Sequence, residues 1–538
     1  MILLIPLGGI GKRFRDNGYD KPKALINVFG KPILYYLLDN INFTSLDYVI
    51  LPYNKEYKKY NFEDKLKKDY PDIKFKFHCL ENNTRGASET INIALNKLAH
   101  KESDCPIICL DSDNFYLCDI INKWNGENCV FSHRDTSINP IYSYIKCSHD
   151  NSITDIAEKE KISDFACTGG YGFDSVKNLI KYTEQVISEG ADKDTDTEFY
   201  TSGVIQEMIM DGYKFKNKEI SKKYFICLGT PFQLKLFYNN YPRISSLNNV
   251  ELIKPKRICF DLDNTLVTFP DIPNDYTSVK PIMKNINLLK YLKRLNNTII
   301  IYTARRMKTY HGDIGKINAD IGKITFSTLE KYDIPYDEIY FGKPYADFYI
   351  DDLAVNCFDN IEKELGYYNN VIEPRDFHSI EHNTIEIITK KGILNGEIYF
   401  YKNIPIEIKD LFPLFFGNIG NNLKIEKING ITLTDMYLSE LLTESTLEHV
   451  LRSMERIHNV NIDKNDNTNI YQNYKNKLIK RYEEYDYSSF ENSNLIYNDL
   501  LIKLTHYENN DKGIKKVIHG DPVFTNILIN NYDKIKFI

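Results

Sequence analysis

The chain opens on an unbroken apolar run, Ile2-Leu3-Leu4-Ile5, that stops at a proline and a glycine-rich stretch. The same figure, a short apolar run cut off by Pro or Asp, returns over residues 48–52 and 107–111. Runs of this length predict strands buried on both faces, and the helix-compatible stretches between them predict a doubly wound α/β layer over residues 1–241. Residues 242–256 are polar, hold two prolines and read as a linker. A second β/α alternation starts at Arg257-Ile258-Cys259-Phe260-Asp261, with a helix predicted over residues 283–295 and a buried strand over 299–303, and continues to about residue 373. A third stretch begins near residue 383. It has β-like runs at 384–389 and 397–401, a Leu-rich amphipathic helix over 434–458, a very polar segment, and a final strand–loop–strand.

Composition narrows the class. A chain of 538 residues exceeds what one core supports, and 42% hydrophobic with 26% charged residues excludes a disordered or low-complexity protein. The net charge of −6, with no long basic block, argues against nucleic acid and anionic membrane as partners. Ten cysteines, all between Cys79 and Cys357 and without a CxxC pair, argue against structural zinc and a disulfide framework. Scattered buried thiols fit a reducing cytosol, so a cytoplasmic location is expected. No apolar run approaches the roughly 20 residues of a spanning helix, and the opening run is too short for a signal peptide.

The first strand runs into Gly8-Gly9-Ile10-Gly11-Lys12-Arg13, with Lys21-Pro22-Lys23 close behind. Glycines let backbone close on a polyphosphate and present amides to it. Phe14 excludes a dinucleotide fingerprint, and no Gly-Lys-Ser/Thr follows to make a P-loop. With Arg85-Gly86-Ala87-Ser88-Glu89-Thr90, Leu110-Asp111-Ser112-Asp113-Asn114, Glu158-Lys159, Gly169-Gly170-Tyr171 and Gly229-Thr230-Pro231, the block resembles the sugar-phosphate nucleotidyltransferases, including cytidylyltransferases that activate phosphocholine-type and sugar phosphates. The resemblance implies a Rossmann-like nucleotidyltransferase domain over residues 1–245 and an in-line attack of an acceptor phosphate on the α-phosphorus of an NTP, CTP favoured. Gly8, Gly9, Gly11 and Arg13 would hold the triphosphate, with Gly86 and Glu89 against the base. Asp111 or Asp113 would hold Mg2+, and Lys23 and Lys159 the acceptor, although Lys159 also reads as a solvated member of a charged run. Many relatives carry an aspartate where this chain has Cys227, which leaves the metal to the Asp111/Asp113 loop.

Phe260-Asp261-Leu262-Asp263-Asn264-Thr265 delivers two carboxylates, two residues apart, at a strand end, one placed to attack and one to move protons. Followed by Thr303, Lys343 in Phe341-Gly342-Lys343-Pro344, and Tyr349-Ile350-Asp351-Asp352, this resembles the haloacid dehalogenase superfamily. The resemblance implies a second Rossmann-like domain over 255–375. Asp261 would be its nucleophile and Asp263 its acid–base; Thr303 and Lys343 would hold the phosphoryl group, and Asp351 and Asp352 with Asp261 would bind Mg2+. The short span between Thr265 and Thr303 leaves room for a minimal cap only, with residues 308–322 as a pliant cap-like candidate.

His519-Gly520-Asp521-Pro522-Val523-Phe524-Thr525-Asn526 has kinase-loop spacing and resembles aminoglycoside and choline kinases. The resemblance implies an α+β kinase-like lobe over 380–538, with Asp521 as base, Asn526 on Mg2+ and ATP a possible ligand. Residues 396–401 would be an N-lobe strand, residues 425–430 the hinge, and Lys390, Lys391 and Lys402 compete for the ATP lysine. The expected second metal aspartate would follow Ile538, so the lobe is expected to be incomplete and its kinase activity doubtful. Together the blocks imply a multifunctional enzyme acting on small phosphorylated molecules and nucleotides, of the kind associated with bacterial capsule biosynthesis. The alternatives are a phosphatase with a nucleotide-sensing first block, or a non-catalytic scaffold.

Overall fold

In the computed structural model the chain forms two compact units, Met1–Glu373 and Pro374–Ile538. The structure describes all residues except 99–102, 136–139, 191–197, 249, 368–377, 383–386, 393, 429, 439–441, 462–471, 511–515 and 531–533.

The first unit is built on a nine-stranded mixed sheet. Strand Ile2–Leu4 lies parallel to both Tyr48–Asn54 and Ile107–Leu110, which makes the Rossmann-like centre; Phe165–Phe173 then runs antiparallel to Ile107–Leu110. Alternate side chains feed opposite cores, because successive residues on a strand face opposite ways. Leu3, Val49, Leu51, Ile108 and Leu110 belong to one apolar cluster, and Ile2, Leu4, Ile50, Ile107 and Cys109 to the other. This two-sided burial explains why these strands read as unbroken apolar runs.

The first half of the stretch read as a linker is helical, because helix Pro231–Asn248 runs into it, and residues 250–256 are irregular. A three-stranded parallel sheet follows, in the order Arg257–Asp261, Thr298–Thr303, Glu338–Phe341, with helices Met283–Arg294 and Ile314–Lys331. Its first strand is less enclosed than its composition predicts, since Phe260 is buried while Arg257 and Cys259 are exposed. Of residues 308–322, the cap-like candidate, 314–322 are helical. They open the helix Ile314–Lys331, whose first turn is capped by the Asp313 carboxylate accepting from the Lys316 amide at 3.1 Å. One apolar cluster continues from Leu3 through Phe29 and Tyr367 to Leu262 and Ile299, so the first two blocks share a core.

The second unit holds a four-stranded antiparallel sheet and a three-stranded one ending in Ile535–Phe537. Residues 396–401, expected as a strand, lie in helix Asn395–Asn403; Ile398 and Tyr401 are buried at helical spacing, and Glu397 is tied to Lys390. The long helix predicted over 434–458 is two, Leu433–Leu438 and Glu444–His458, the latter started by a Thr443 cap. No helix among the described residues is long and apolar enough to cross a membrane.

Candidate active sites

Two groups of charged side chains gather at the C-terminal ends of the parallel strands in the first unit, where loops of such sheets converge. In the first, strand Ile2–Leu4 leads to the glycine loop and Ile107–Leu110 to the acidic loop. Gly8 is needed for packing: a Cβ there would lie 2.3 Å from Thr90 Oγ1 and 2.7 Å from Thr84 Oγ1. Gly11 adopts φ +65° and lies against Lys23, whereas Gly9 faces open space. Lys23 reaches the acidic loop, its Nζ 2.7 Å from Asp113 Oδ2. Arg13 is exposed on the short helix Lys12–Asp16.

The acidic loop is enclosed by two glycines from distant strands and loops. Gly169, at φ +74°, comes so close that a Cβ would sit 2.2 Å from Asp111 Oδ2, and one on Gly229 would sit 2.5 Å from Asp113 Oδ2. The Leu228 amide donates to the Asp113 carbonyl at 2.7 Å. Burial first, then the neighbouring Asp113 charge, push Asp111 up to about 7, with Lys23 opposing. Burial draws the Lys23 ammonium down, but Asp113 and Asp111 outweigh it and the net displacement is upward. Burial, then Asp113, raises the Cys227 thiol and keeps it protonated.

Around this pair, Glu158 accepts from the Ser143 and Ser202 hydroxyls, and Lys159, in a left-handed conformation at φ 54°, donates to Tyr200 Oη at 2.9 Å. Glu89 is already engaged, accepting from the Arg85 amide at 2.6 Å and from its guanidinium at 2.9 Å. Gly86 lies against Phe199, where a Cβ would meet the carbonyl at 2.4 Å. Tyr200 was not foreseen, and nothing in its sequence surroundings marks it.

In the second group, register explains the convergence: Asp261 pairs with Tyr302 and Thr303 with Phe341, so Asp261, Thr303 and Lys343 leave the sheet at one end. Lys343 Nζ is 3.3 Å from Asp261 Oδ1. Burial raises the Asp261 carboxyl, and the Lys343 charge offsets part of that. Asp263 is gripped by the wholly buried Arg305, whose Nε lies 3.0 and 2.9 Å from its two oxygens and whose Nη2 lies 2.7 Å from Oδ1. Arg305 is held in turn by Thr325 Oγ1 at 3.2 Å and by the Tyr276 ring, 4.6 Å away. Sequence reasoning passed over Arg305, although two arginines directly after the Thr303 strand were a usable signal. Thr303 is fully buried, and its hydroxyl accepts from the Arg305 amide at 3.2 Å.

Asp351 and Asp352 do not join Asp261 as expected. They lie exposed in an irregular stretch rather than at the end of a strand, and Asp351 accepts from the Leu353 amide at 2.7 Å. Among the described residues no three His, Cys, Asp or Glu side chains converge as a metal-binding group.

In the second unit, Asn526 donates to the Asp521 carboxylate at 3.0 Å and to its carbonyl at 2.9 Å. Of the three candidate lysines, Lys390 makes an ion pair across to a helix, 2.7 Å to Glu397.

No family model matches the chain. The D-glycero-alpha-D-manno-heptose 1-phosphate guanylyltransferase of Aneurinibacillus thermoaerophilus is 23% identical over 235 residues, 43% of this chain and 94% of that protein. Among solved structures, a nucleoside-diphosphate-sugar pyrophosphorylase from Vibrio cholerae is 20% identical, covering 45% of this chain and 99% of the other with a TM-score of 0.39. The inositol-1-phosphate CTP transferase of T. maritima is 13% identical, covering 47% and 97% with a TM-score of 0.36. The N-terminal region therefore resembles sugar nucleotidyltransferases.

Proposed function

We propose that the first block transfers a nucleotidyl group from an NTP to a small phosphorylated acceptor, and that the second hydrolyses phosphomonoesters. The observation that carries the first reading is the enclosed Lys23–Asp113–Asp111 group beside the glycine loop. An acceptor phosphate oxygen attacks the α-phosphorus, the bond to the bridging oxygen breaks, and pyrophosphate leaves. Such a reaction needs alignment and charge neutralisation more than proton transfer. Lys23 and Lys159 hold the acceptor phosphate, and Arg13 takes charge developing on the pyrophosphate. Mg2+ fits the donor set: Asp111 and Asp113 are adjacent oxygen ligands whose mutual repulsion a hard cation relieves. When bound, it supplies charge neutralisation to the phosphates. CTP enters from the cytidylyltransferase resemblance, and GTP from the name of the heptose-phosphate relative.

In the second block Asp261 attacks phosphorus and forms an aspartyl-phosphate, Asp263 protonates the leaving oxygen and then activates water, and Lys343 steadies the phosphoryl oxygens; Thr303, expected to share that role, is buried and instead braces Arg305 through its amide. Mg2+ at Asp261, Asp351 and Asp352 does not fit the observed arrangement, and no step is assigned to it. For the second unit, the Lys390–Glu397 ion pair and the Asp521–Asn526 loop support an ATP-binding, kinase-like lobe. A cytosolic enzyme supplying NDP-activated units for a surface polysaccharide is the role these activities suit. The thiol at Cys227 favours a second reading, in which the first block binds nucleotide without turnover.

The test is pyrophosphate release by the full chain with Mg2+, across four NTPs and a panel of phosphorylated sugars, polyols and amino alcohols. Release with one pair supports transfer. Nucleotide binding without release supports the second reading.

A further inference from the structure

The segment that closes the phosphatase-like block also grips the loop carrying Arg13 and Lys23. Helix Ile361–Leu365 is started by the Asn360 side chain and ends at Gly366 in the left-handed region, φ +69°. The last carbonyls of a helix lack partners within it. Here residues of the first block supply them. Phe29 N donates to Gly366 O at 2.7 Å, Gly30 N to Leu365 O at 2.9 Å, and Asn27 Nδ2 to Glu364 O at 2.8 Å. The fit leaves no slack, because a Cβ on Gly366 would lie 2.0 Å from Asn27 O.

Charged groups extend the grip toward the glycine loop. Glu364 makes an ion pair with Lys21 at 2.7 Å, two residues before Lys23. Lys363 Nζ donates to the Asn17 carbonyl and lies 5.1 Å from the Tyr19 ring centre. Tyr367 is buried against the Phe29 ring at 5.8 Å. At its other end, the same segment touches the loop of the second site, where Cys357 Sγ donates to Asn264 O at 3.4 Å, three residues past Asp261.

We propose that residues 357–367 are a strut that positions the Arg13–Lys23 loop, with Lys363 and Glu364 as positioning residues for the nucleotidyl site. The proposal rests on the reading of the first block as a nucleotidyltransferase. On the sheet side the glycine loop and Lys23 are held by the strand Ile2–Leu4, by the Leu7 amide donating to the Pro52 carbonyl at 2.8 Å, by the Arg15–Glu56 ion pair and by the Lys23–Asp113 ion pair. The strut supplies the anchor on the other side, so loosening it lets the two phosphate-holding cations drift apart while the chemistry at the acidic loop is unchanged.

The experiment compares the full chain with Lys363→Ala/Glu364→Ala and with Lys290→Ala, which breaks an ion pair to Asp333 elsewhere in the same block. Hydrogen exchange over residues 11–30 and the KM and kcat of pyrophosphate release are the readouts. Faster exchange in the double variant alone, with KM raised about fivefold and kcat within about twofold, is the expected result. Unchanged exchange and KM overturn the strut. Because exchange does not depend on turnover, loosened exchange in a protein that never releases pyrophosphate would keep the strut and reject the nucleotidyltransferase reading. Should the double variant not fold, Glu364→Lys and Lys21→Glu serve singly and together. Recovery of KM and exchange in the charge swap supports the proposal, and failure to recover overturns it.

Discussion

The two candidate sites of the first unit stand at equivalent places, the C-terminal ends of parallel strands, yet they manage charge in different ways. In the first, Asp111 and Asp113 are pressed between Gly169 and Gly229, and Lys23 answers two carboxylates at once. In the second, each carboxylate has its own cation: Lys343 serves Asp261, and the buried fork of Arg305 serves Asp263. Burial, with a like charge crowded beside it, leaves Asp111 poised near pH 7, whereas one-to-one pairing fixes positions and makes the site depend on single residues.

The largest effect should come from the one-to-one side. Arg305→Met removes the fork, leaves Asp263 without its cation, and should cost about 3 kcal/mol in urea unfolding while abolishing phosphomonoester hydrolysis. A stability loss below about 1 kcal/mol would mean that Arg305 is not the keystone of the pair. Burial in the first block has an acid counterpart. His133 is pushed down to about 4, by burial first and then by Lys222, while the second block's histidine, His311, is exposed. Unfolded, His133 takes up a proton near pH 6.5. Folding stability is therefore whole above that pH and falls as pH drops toward 4, by up to about 3 kcal/mol. His133→Phe should flatten that part of the pH profile; an unchanged slope would remove His133 as its source.

Smaller effects probe the glycine walls. Gly169→Ala puts a Cβ against Asp111 at a positive φ, and should cost about 2 kcal/mol and most of the pyrophosphate release. Gly203→Ala is the matched control. It lies in helix Thr201–Met210 with open space around it and should stabilise by up to about 1 kcal/mol. Equal thermal shifts for the two would undo the argument that Gly169 is a wall rather than a turn.

How much was legible follows from which forces act locally. The strands at residues 2–4, 48–54 and 107–110 were readable because burial on both faces leaves an unbroken apolar signature. The pressing of Gly169 on Asp111 was not, since it depends on an antiparallel register that sets Gly170 opposite Leu110. Residues 396–401 misled because the unbroken apolar run Ile398-Tyr399-Phe400-Tyr401 suits a buried strand as well as a helix, and the Lys390–Glu397 pair that favours helix is a tertiary contact. Asp351-Asp352 was readable as residue types, but its place at a strand end required a strand that this stretch does not form. The polar residues beyond Pro242 read as a linker, yet Asn248 donates to the Ile244 and Lys223 carbonyls within and beside a continuing helix.

The central claim is that the first unit carries two independent phosphate chemistries. The direct test assays pyrophosphate release and phosphomonoester hydrolysis side by side in the full chain, in Asp113→Asn and in Asp261→Asn. The account predicts a loss of about 100-fold or more in release alone for Asp113→Asn, and in hydrolysis alone for Asp261→Asn. If either substitution removed both activities, or neither, the account of two separate sites would be contradicted.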